Sequence, residues 1–409
     1  MIYNLVIMLY VGAVHIAALF NKKVAKMLKG EKETFGILAK SIDPEAKYLW
    51  FHAASLGEFE QGRPLIEEIR KQYPGYKILQ TFFSPSGYEV RKDYKGADVV
   101  CYLPLDTPRN AKRFIELAHP CKAFFIKYEF WKNYLSELKK HDIPVYSVSS
   151  IFRPNQIFFR WYGRVAGYTE VLRCFSLLFV QNGESVRLLK TIGVTNATIV
   201  GDTRFDRVLD ICHKAKELPL VEAFKGDNDR TLVAGSSWMP DEDIFIPYFN
   251  AHPEMKLVIA PHVIDELHLQ EITSKLTRPV VRYTQATMEN VRQADCLIID
   301  CFGLLSSIYR YGEVAYIGGG FGVGIHNTLE AAVYGIPVIF GPNNRKFLEA
   351  QGLKACKGGF EIQGEADFAQ LMDTFFSDYG QLDKAGKNAG GYVRDHAGAL
   401  EKIMQEVKL

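Results

Sequence analysis

Hydrophobic residues along the chain fall into short β-rich runs separated by stretches of helical length. In the first half the runs are 48–52, 77–81, 99–102, 123–126, 145–149 and 177–180, and segments such as 62–72 and 131–140 carry helical spacing. Short apolar runs alternating with helices predict βαβ units and a parallel, doubly wound sheet. The rhythm breaks across 212–229, a polar stretch with Pro219, Gly226 and Asp227-Asn228-Asp229, which reads as a linker. It resumes at 231–234 and continues through 256–259, 296–299, 314–317 and 338–340. The predicted layout is an N-terminal segment 1–30, a Rossmann-like domain 31–211, the linker 212–229, a second Rossmann-like domain 230–380 and a helical tail 381–409.

The first residues depart from this rhythm. The run 2–20, Ile2 to Phe20, holds no formal charge, and the cluster Lys22, Lys23, Lys26, Lys29 and Lys32 follows at once. As a helix the run would reach about 28 Å, close to one hydrocarbon core. Charge after the apolar run, rather than before it, argues against a cleaved export signal. It favours an anchor with the body of the chain on the cytoplasmic side. Asn4, Gly12 and His15 weaken a spanning helix, so crossing the bilayer and lying in its interface both stay open, as does a buried helix of the first domain.

Composition narrows the class. With 48% hydrophobic and 23% charged residues, the chain is neither disordered, collagen-like nor polytopic. Lys plus Arg is 49 against 47 for Asp plus Glu, so no global field exists to grip nucleic acid, and none is expected as a partner. The seven cysteines are scattered without a CxxC pair, which predicts reduced thiols and no zinc site.

Chemistry in such sheets is sought where strands run into loops at their carboxyl ends. The first junction is His52-Ala53-Ala54-Ser55-Leu56-Gly57-Glu58. Glu58 there is either a general base or an acid favoured by the positive end of a helix. The second is Lys127-Tyr128-Glu129-Phe130-Trp131, where Glu129 either stabilises charge or starts a helix. The third is Gly201-Asp202-Thr203-Arg204-Phe205-Asp206. Arg204 either meets an anion bidentately or pairs with a local Asp.

The second half offers Ala234-Gly235-Ser236, Ala260-Pro261-His262, Phe302-Gly303-Leu304 and the loop 318–324, followed by His326-Asn327-Thr328-Leu329-Glu330. A glycine loop before a helix start presents N–H groups to a phosphate, or is simply a tight turn packing helix on strand. Its glycines do not fit the G-x-G-x-x-G register, and no Walker A loop occurs, so a nicotinamide enzyme and a P-loop enzyme are both disfavoured. Asp227-Asn228-Asp229 is formally a DxD triplet, but it lies before a strand and reads as a solvated loop, so no metal is expected.

Taken together and in order, these motifs resemble the 3-deoxy-D-manno-octulosonic acid (Kdo) transferases of lipopolysaccharide assembly. The carriers are the His52–Glu58 motif, Tyr128-Glu129-Phe130-Trp131-Lys132-Asn133, the Gly201–Asp206 motif, Ala234-Gly235-Ser236, Ala260-Pro261-His262, the His326–Glu330 motif and Gly341-Pro342. The resemblance implies an α/β protein of the GT-B glycosyltransferase fold, two Rossmann-like domains facing a cleft, with an N-terminal hydrophobic helix. It implies an enzyme at the cytoplasmic face of the inner membrane that moves Kdo from CMP-Kdo to a tetraacylated lipid A precursor, inverting the anomeric centre without a metal or cofactor. By the same resemblance Glu58 takes the position of the proton acceptor, and Glu129 and Arg204 those of transition-state stabilisers. Pro261, His262, Phe302, Gly303, Leu304, Asn327, Thr328, Leu329 and Glu330 take CMP-contacting positions. Relatives commonly carry Arg at position 262 and Lys at 204, and some carry an acid at 304. A GT-B enzyme using a UDP-sugar and a membrane-tethered nucleotide-binding protein without catalysis are the alternatives.

Overall fold

The computed structural model describes residues 2–165 and 167–409. The chain divides into two compact units, Met1–Arg207 with Ala397–Leu409, and Val208–His396.

The first unit is built on β1 (Lys47–Ala53), β2 (Tyr76–Phe82), β3 (Val99–Tyr102), β4 (Pro120–Ile126), β5 (Val145–Ser150), β6 (Leu177–Val180) and β7 (Ala197–Ile199). They form one parallel sheet in the order β3-β2-β1-β4-β5-β6-β7. After Lys47 every residue of β1 is buried, as expected of a central strand covered by helices on both faces. Alternation sorts its side chains into two layers. Tyr48 and Trp50 pack with Phe114, Phe125 and Tyr134 on one face, while Leu49, Phe51 and Ala53 pack with Phe59, Ile78 and Phe124 on the other.

The second unit has β8 (Thr231–Ser237), β9 (Lys256–Pro261), β10 (Val280–Arg282), β11 (Cys296–Ile298), β12 (Val314–Ile317), β13 (Val338–Phe340) and β14 (Gly359–Glu361). These are also parallel, in the order β10-β11-β9-β8-β12-β13-β14. Each sheet therefore reverses its winding once, between β1 and β4 in the first unit and between β8 and β12 in the second. Such a reversal opens a crevice at the carboxyl ends of the strands, where ligands bind.

Every strand read from the sequence is present, and three others join them. β7, β10 and β14 are three-residue edge strands, and most of their positions are only partly buried. That leaves too short an apolar run to announce a strand.

The expected domain boundaries shift. The stretch 212–229 is not an open linker: Pro219–Lys225 is a helix that buries Val221 and Phe224 in the second unit, and the N–H of Leu218 donates to Tyr311 Oη at 2.9 Å. The predicted tail is also divided. The helices Glu365–Ser377 and Tyr379–His396 belong to the second unit, whereas Ala399–Glu406 returns to the first and packs Ala399, Ile403 and Val407 into its core. Asp206 receives it, accepting the N–H of Gly398 at 2.9 Å and of Ala399 at 3.2 Å.

The apolar start is not a separate body either. Helices α1 (Ile2–Ala18) and α2 (Lys22–Ser41) belong to the first unit. Asn21 caps α2, its Oδ1 accepting the N–H of Lys23 at 2.9 Å. One side of α1 docks through Tyr3, Ile7 and Val14, and Tyr3 donates its hydroxyl to buried Asp106 at 2.5 Å. Burial pushes the Asp106 carboxyl up to about 6. The remaining surface of α1 exposes Ile2, Leu5, Met8, Leu9 and Ile16, and Leu19 and Phe20 beyond it are also exposed. Among the described residues no single helix is long and apolar enough to cross a membrane, but α1 and α2, bent by 120°, pass the test of length and composition together.

Candidate active site

In the first unit Glu58 and Glu129 follow β1 and β4, the two strands that flank the reversal, and Arg204 follows β7. Ser55 ends the turn after β1 and caps α3 (Leu56–Gln72), with Glu58 in its first turn. Glu58 Oε2 accepts the backbone N–H of Ser55 at 2.9 Å and its hydroxyl at 3.1 Å. The helix-start reading of Glu58 is thus formed, and it uses only one of the two oxygens. One oxygen closes the cap, while Oε1 takes no hydrogen bond from the described residues and is not sealed in the core. Burial, and then the negative charge of Glu129, push the Glu58 carboxyl above the usual carboxylate range, with the Ser55 bonds opposing them. A carboxyl tuned upward in this way suits general-base work.

Glu129 follows β4 through Lys127, whose φ of 61° turns the chain sharply. Its Oε2 accepts the indole N–H of Trp131 at 2.6 Å and lies 3.2 Å from His52 Nε2. The helix start that the sequence offered as the alternative falls later, at Lys132.

Arg204 is held by Asp202: its backbone N–H and Nε reach Asp202 Oδ1 and Oδ2, both at 2.9 Å, and Nη2 lies 2.8 Å from Oδ2. The local pair is therefore formed, and an incoming anion would share Arg204 with Asp202. Gln61, one turn after Glu58 on α3, donates to Asp202 at 3.4 Å, and its carbonyl accepts the Thr203 hydroxyl at 2.7 Å. Ser149, in the left-handed region at φ 55°, lies 3.0 Å from Thr203 through their hydroxyls. Residues of non-glycine type in that region concentrate at functional sites. In this way α3 and the end of β5 fix the segment that carries Arg204.

The second unit places different groups at its own reversal. The ring of His262 stacks between Trp238, at 4.6 Å, and His326, at 4.4 Å. Trp238 donates its indole N–H to His326 Nε2 at 3.2 Å. Burial, and then the proximity of His262, lower His326 to about 4, so it is neutral at physiological pH. Asn327 is exposed and donates to Glu330 at 2.9 Å.

The other expected CMP-contacting positions differ widely in exposure. Thr328 and Leu329 are fully buried, Thr328 Oγ1 without a hydrogen-bond partner among the described residues, and Pro261 is buried at the end of β9. Phe302 is 81% exposed, Gly303 sits at φ 88° in open space, and Leu304 precedes the short helix Leu305–Ile308. The structure forms no bond between these three and the His262 stack among the described residues.

The glycine loop behaves as a packed turn. A Cβ on Gly318 would stand 2.2 Å from the Ser236 carbonyl oxygen, and one on Gly320 2.5 Å from the Gly341 nitrogen. The N–H groups of Gly318, Gly322 and Gly324 bond within the fold, and that of Gly319 donates to buried Asp241 at 2.8 Å. The helix after the loop is a single turn, Leu329–Ala332, with its first N–H taken by Asn327. The glycine N–H groups named above are thus taken within the fold, and the one-turn helix is too short to supply much of a dipole. The seven cysteines are free thiols, and no cluster fit for a metal occurs among the described residues.

The sequence did not single out His52, Gln61, Asp202, Trp131 and Trp238 as individuals, although each lies in or beside a quoted motif. Only the fold reveals which atom each one meets.

Two parallel Rossmann-like sheets on one chain, with carboxylates at one reversal and stacked rings at the other, make a protein of the GT-B fold. The likeness extends to solved structures: UDP-GlcNAc 2-epimerase from Neisseria meningitidis superposes with a TM-score of 0.63 over 88% of this chain and 98% of its own, at 14% identity. Residues 29–207 match the family model described as 3-Deoxy-D-manno-octulosonic-acid transferase (kdotransferase). The 3-deoxy-D-manno-octulosonic acid transferase of Aquifex aeolicus is 30% identical over 80% of this chain and 86% of its own. That of Rickettsia bellii is 23% identical over 98% and 96%. The chain belongs to the 3-deoxy-D-manno-octulosonic acid transferase family, and is an enzyme that transfers Kdo in lipopolysaccharide synthesis.

Proposed function

We propose that the chain moves Kdo from CMP-Kdo to a tetraacylated lipid A precursor at the cytoplasmic face of the inner membrane. The observation that carries the chemistry is Glu58, with one oxygen fixed in a helix cap, the other open, and its carboxyl raised by burial and by Glu129. Glu58 takes the proton of an acceptor hydroxyl as that oxygen attacks the anomeric carbon from the face opposite CMP. The C–O bond to CMP breaks, and the leaving phosphate carries away the electron pair. Glu129 and Arg204 stabilise charge redistributed along this path. The stacked His262 and the exposed Asn327 contact the nucleotide.

The membrane part of the proposal is supported by the uncovered apolar side of α1 and the lysines that open α2. An acceptor with acyl chains is met more often by an enzyme held at the surface. Replacing Leu5, Met8 and Leu9 with Ser, away from the docked side of α1, is expected to reduce sedimentation with anionic vesicles and leave the melting temperature unchanged.

The reading is tested by incubating the protein with CMP-Kdo and the tetraacyl precursor and weighing the lipid by mass spectrometry. A product heavier by one or more Kdo residues is expected, and CMP, but not UDP, should raise the melting temperature. No product, or equal protection by UDP, would overturn it.

A further inference from the structure

His52 is fully buried in the aromatic layer of the first unit, its ring 5.6 Å from Phe125, and the transfer chemistry above gives it no part. A buried imidazole is costly unless both nitrogens are satisfied. Here both are, and the partners determine the direction of each bond. His52 Nδ1 lies 2.9 Å from Thr81 Oγ1, and Nε2 lies 3.2 Å from Glu129 Oε2.

The polarity can be read from the ends of the chain of bonds. An indole N–H only donates. Trp50 therefore donates to Thr81 Oγ1, at 2.8 Å, and leaves the hydroxyl hydrogen to go elsewhere. Two acceptors compete for it, His52 Nδ1 at 2.9 Å and the Phe51 carbonyl at 3.4 Å. The shorter contact assigns the hydrogen to Nδ1. Nδ1 then carries no proton, Nε2 does, and Nε2–H donates to Glu129. Trp131, the second indole, donates to the same oxygen at 2.6 Å. Glu129 Oε2 thus receives two N–H groups from fixed rings, and any proton or substrate hydroxyl must deal with Oε1.

We propose that His52 is a positioning residue: a neutral imidazole, protonated at Nε2, that with Trp131 pins Glu129 Oε2 and leaves Oε1 as the working oxygen. The relay Trp50–Thr81–His52 carries the orientation from the core layer to the crevice. This inference rests on the reading of Glu129 as a group that acts in transfer. It explains why a polar ring stands at the end of β1 on a face otherwise lined by Trp50, Phe114, Phe125 and Tyr134.

The test combines steady-state transfer kinetics with 15N NMR of imidazole-labelled full-length protein. His52→Phe is expected to lower kcat roughly tenfold with little change in the KM for CMP-Kdo. His52→Gln, which can still donate an N–H, should recover much of that loss. In a Glu129→Gln background His52→Phe should cost nothing further, because its effect passes through Glu129. A packing role alone would lower the rate in both backgrounds, and equal losses there would overturn the proposal. The NMR arm needs no variant to fold: one unprotonated Nδ1 and one protonated Nε2 are expected for His52, and the reverse tautomer or an imidazolium would overturn the assignment. Absence of transfer in the wild type would refute the functional reading instead, and the tautomer would then decide the His52–Glu129 geometry alone.

Discussion

The two units share an architecture but not a chemistry, and their strand orders differ in the place of the fourth strand, β4 beside β1 in the first unit and β11 between β9 and β10 in the second. Both sheets are parallel and seven-stranded, and each reverses beside its first strand, at β1/β4 and at β8/β12. At the first reversal stand two carboxyl groups, half-buried Glu58 and buried Glu129, with Arg204 held by Asp202 in the same unit. At the second stand a stack of Trp238, His262 and His326 and a close-packed glycine turn. Each sheet reverses once, and the residues after each strand give one reversal carboxylates and the other stacked rings; in the proposed function the first moves protons and the second meets the nucleotide.

Substitution on the charged side should cost the most activity. Glu58→Gln should reduce the transfer rate by about 10²–10⁴-fold. Its stability should hold, since the amide oxygen can still accept the Ser55 N–H. The raised carboxyl means that the ionised form is disfavoured in the folded state, so above the unfolded carboxylate range Glu58 lowers stability and its removal there does no harm.

Next comes the packed side. Gly320→Ala should destabilise the second unit by about 1–3 kcal/mol, as measured by denaturant unfolding, because the new methyl meets backbone at 2.5 Å and backbone cannot rotate away. An unchanged midpoint would mean that the loop is looser than a packed turn.

A smaller effect sharpens the coupling between the carboxylates. The rate should fall on the acid side as pH drops through the raised Glu58 value, because the base must be ionised. Glu129→Gln removes a negative neighbour and should move that acid limb to lower pH, in addition to lowering the rate. An acid limb that stays in place would separate the two groups. Smallest of all, His262→Ala should raise the KM for the donor a few-fold and leave kcat alone.

What the sequence made legible follows the same division. Central strands such as β1 and β12 are buried along their length, so their apolar runs stand out, whereas β7, β10 and β14 are three-residue edges with little pattern to detect. Glu58 and Glu129 were legible because a carboxylate directly after an apolar strand is placed by the chain itself. The partners of those carboxylates were not. Trp131 lies two residues from Glu129 and His52 lies 77 away, yet both meet the same oxygen. The helix 219–225 was hidden by its polar surroundings, and the return of Ala399–Glu406 to the first unit depends on Asp206, a contact across 192 residues that no local pattern encodes.

If chemistry belongs to the first reversal and nucleotide recognition to the second, the two losses separate in a single variant. The most direct measurement is the affinity for CMP, by titration calorimetry, of the same Glu58→Gln protein that has lost transfer. The account predicts wild-type affinity beside a rate reduced by two or more orders of magnitude. CMP binding weakened in proportion to the rate would contradict it.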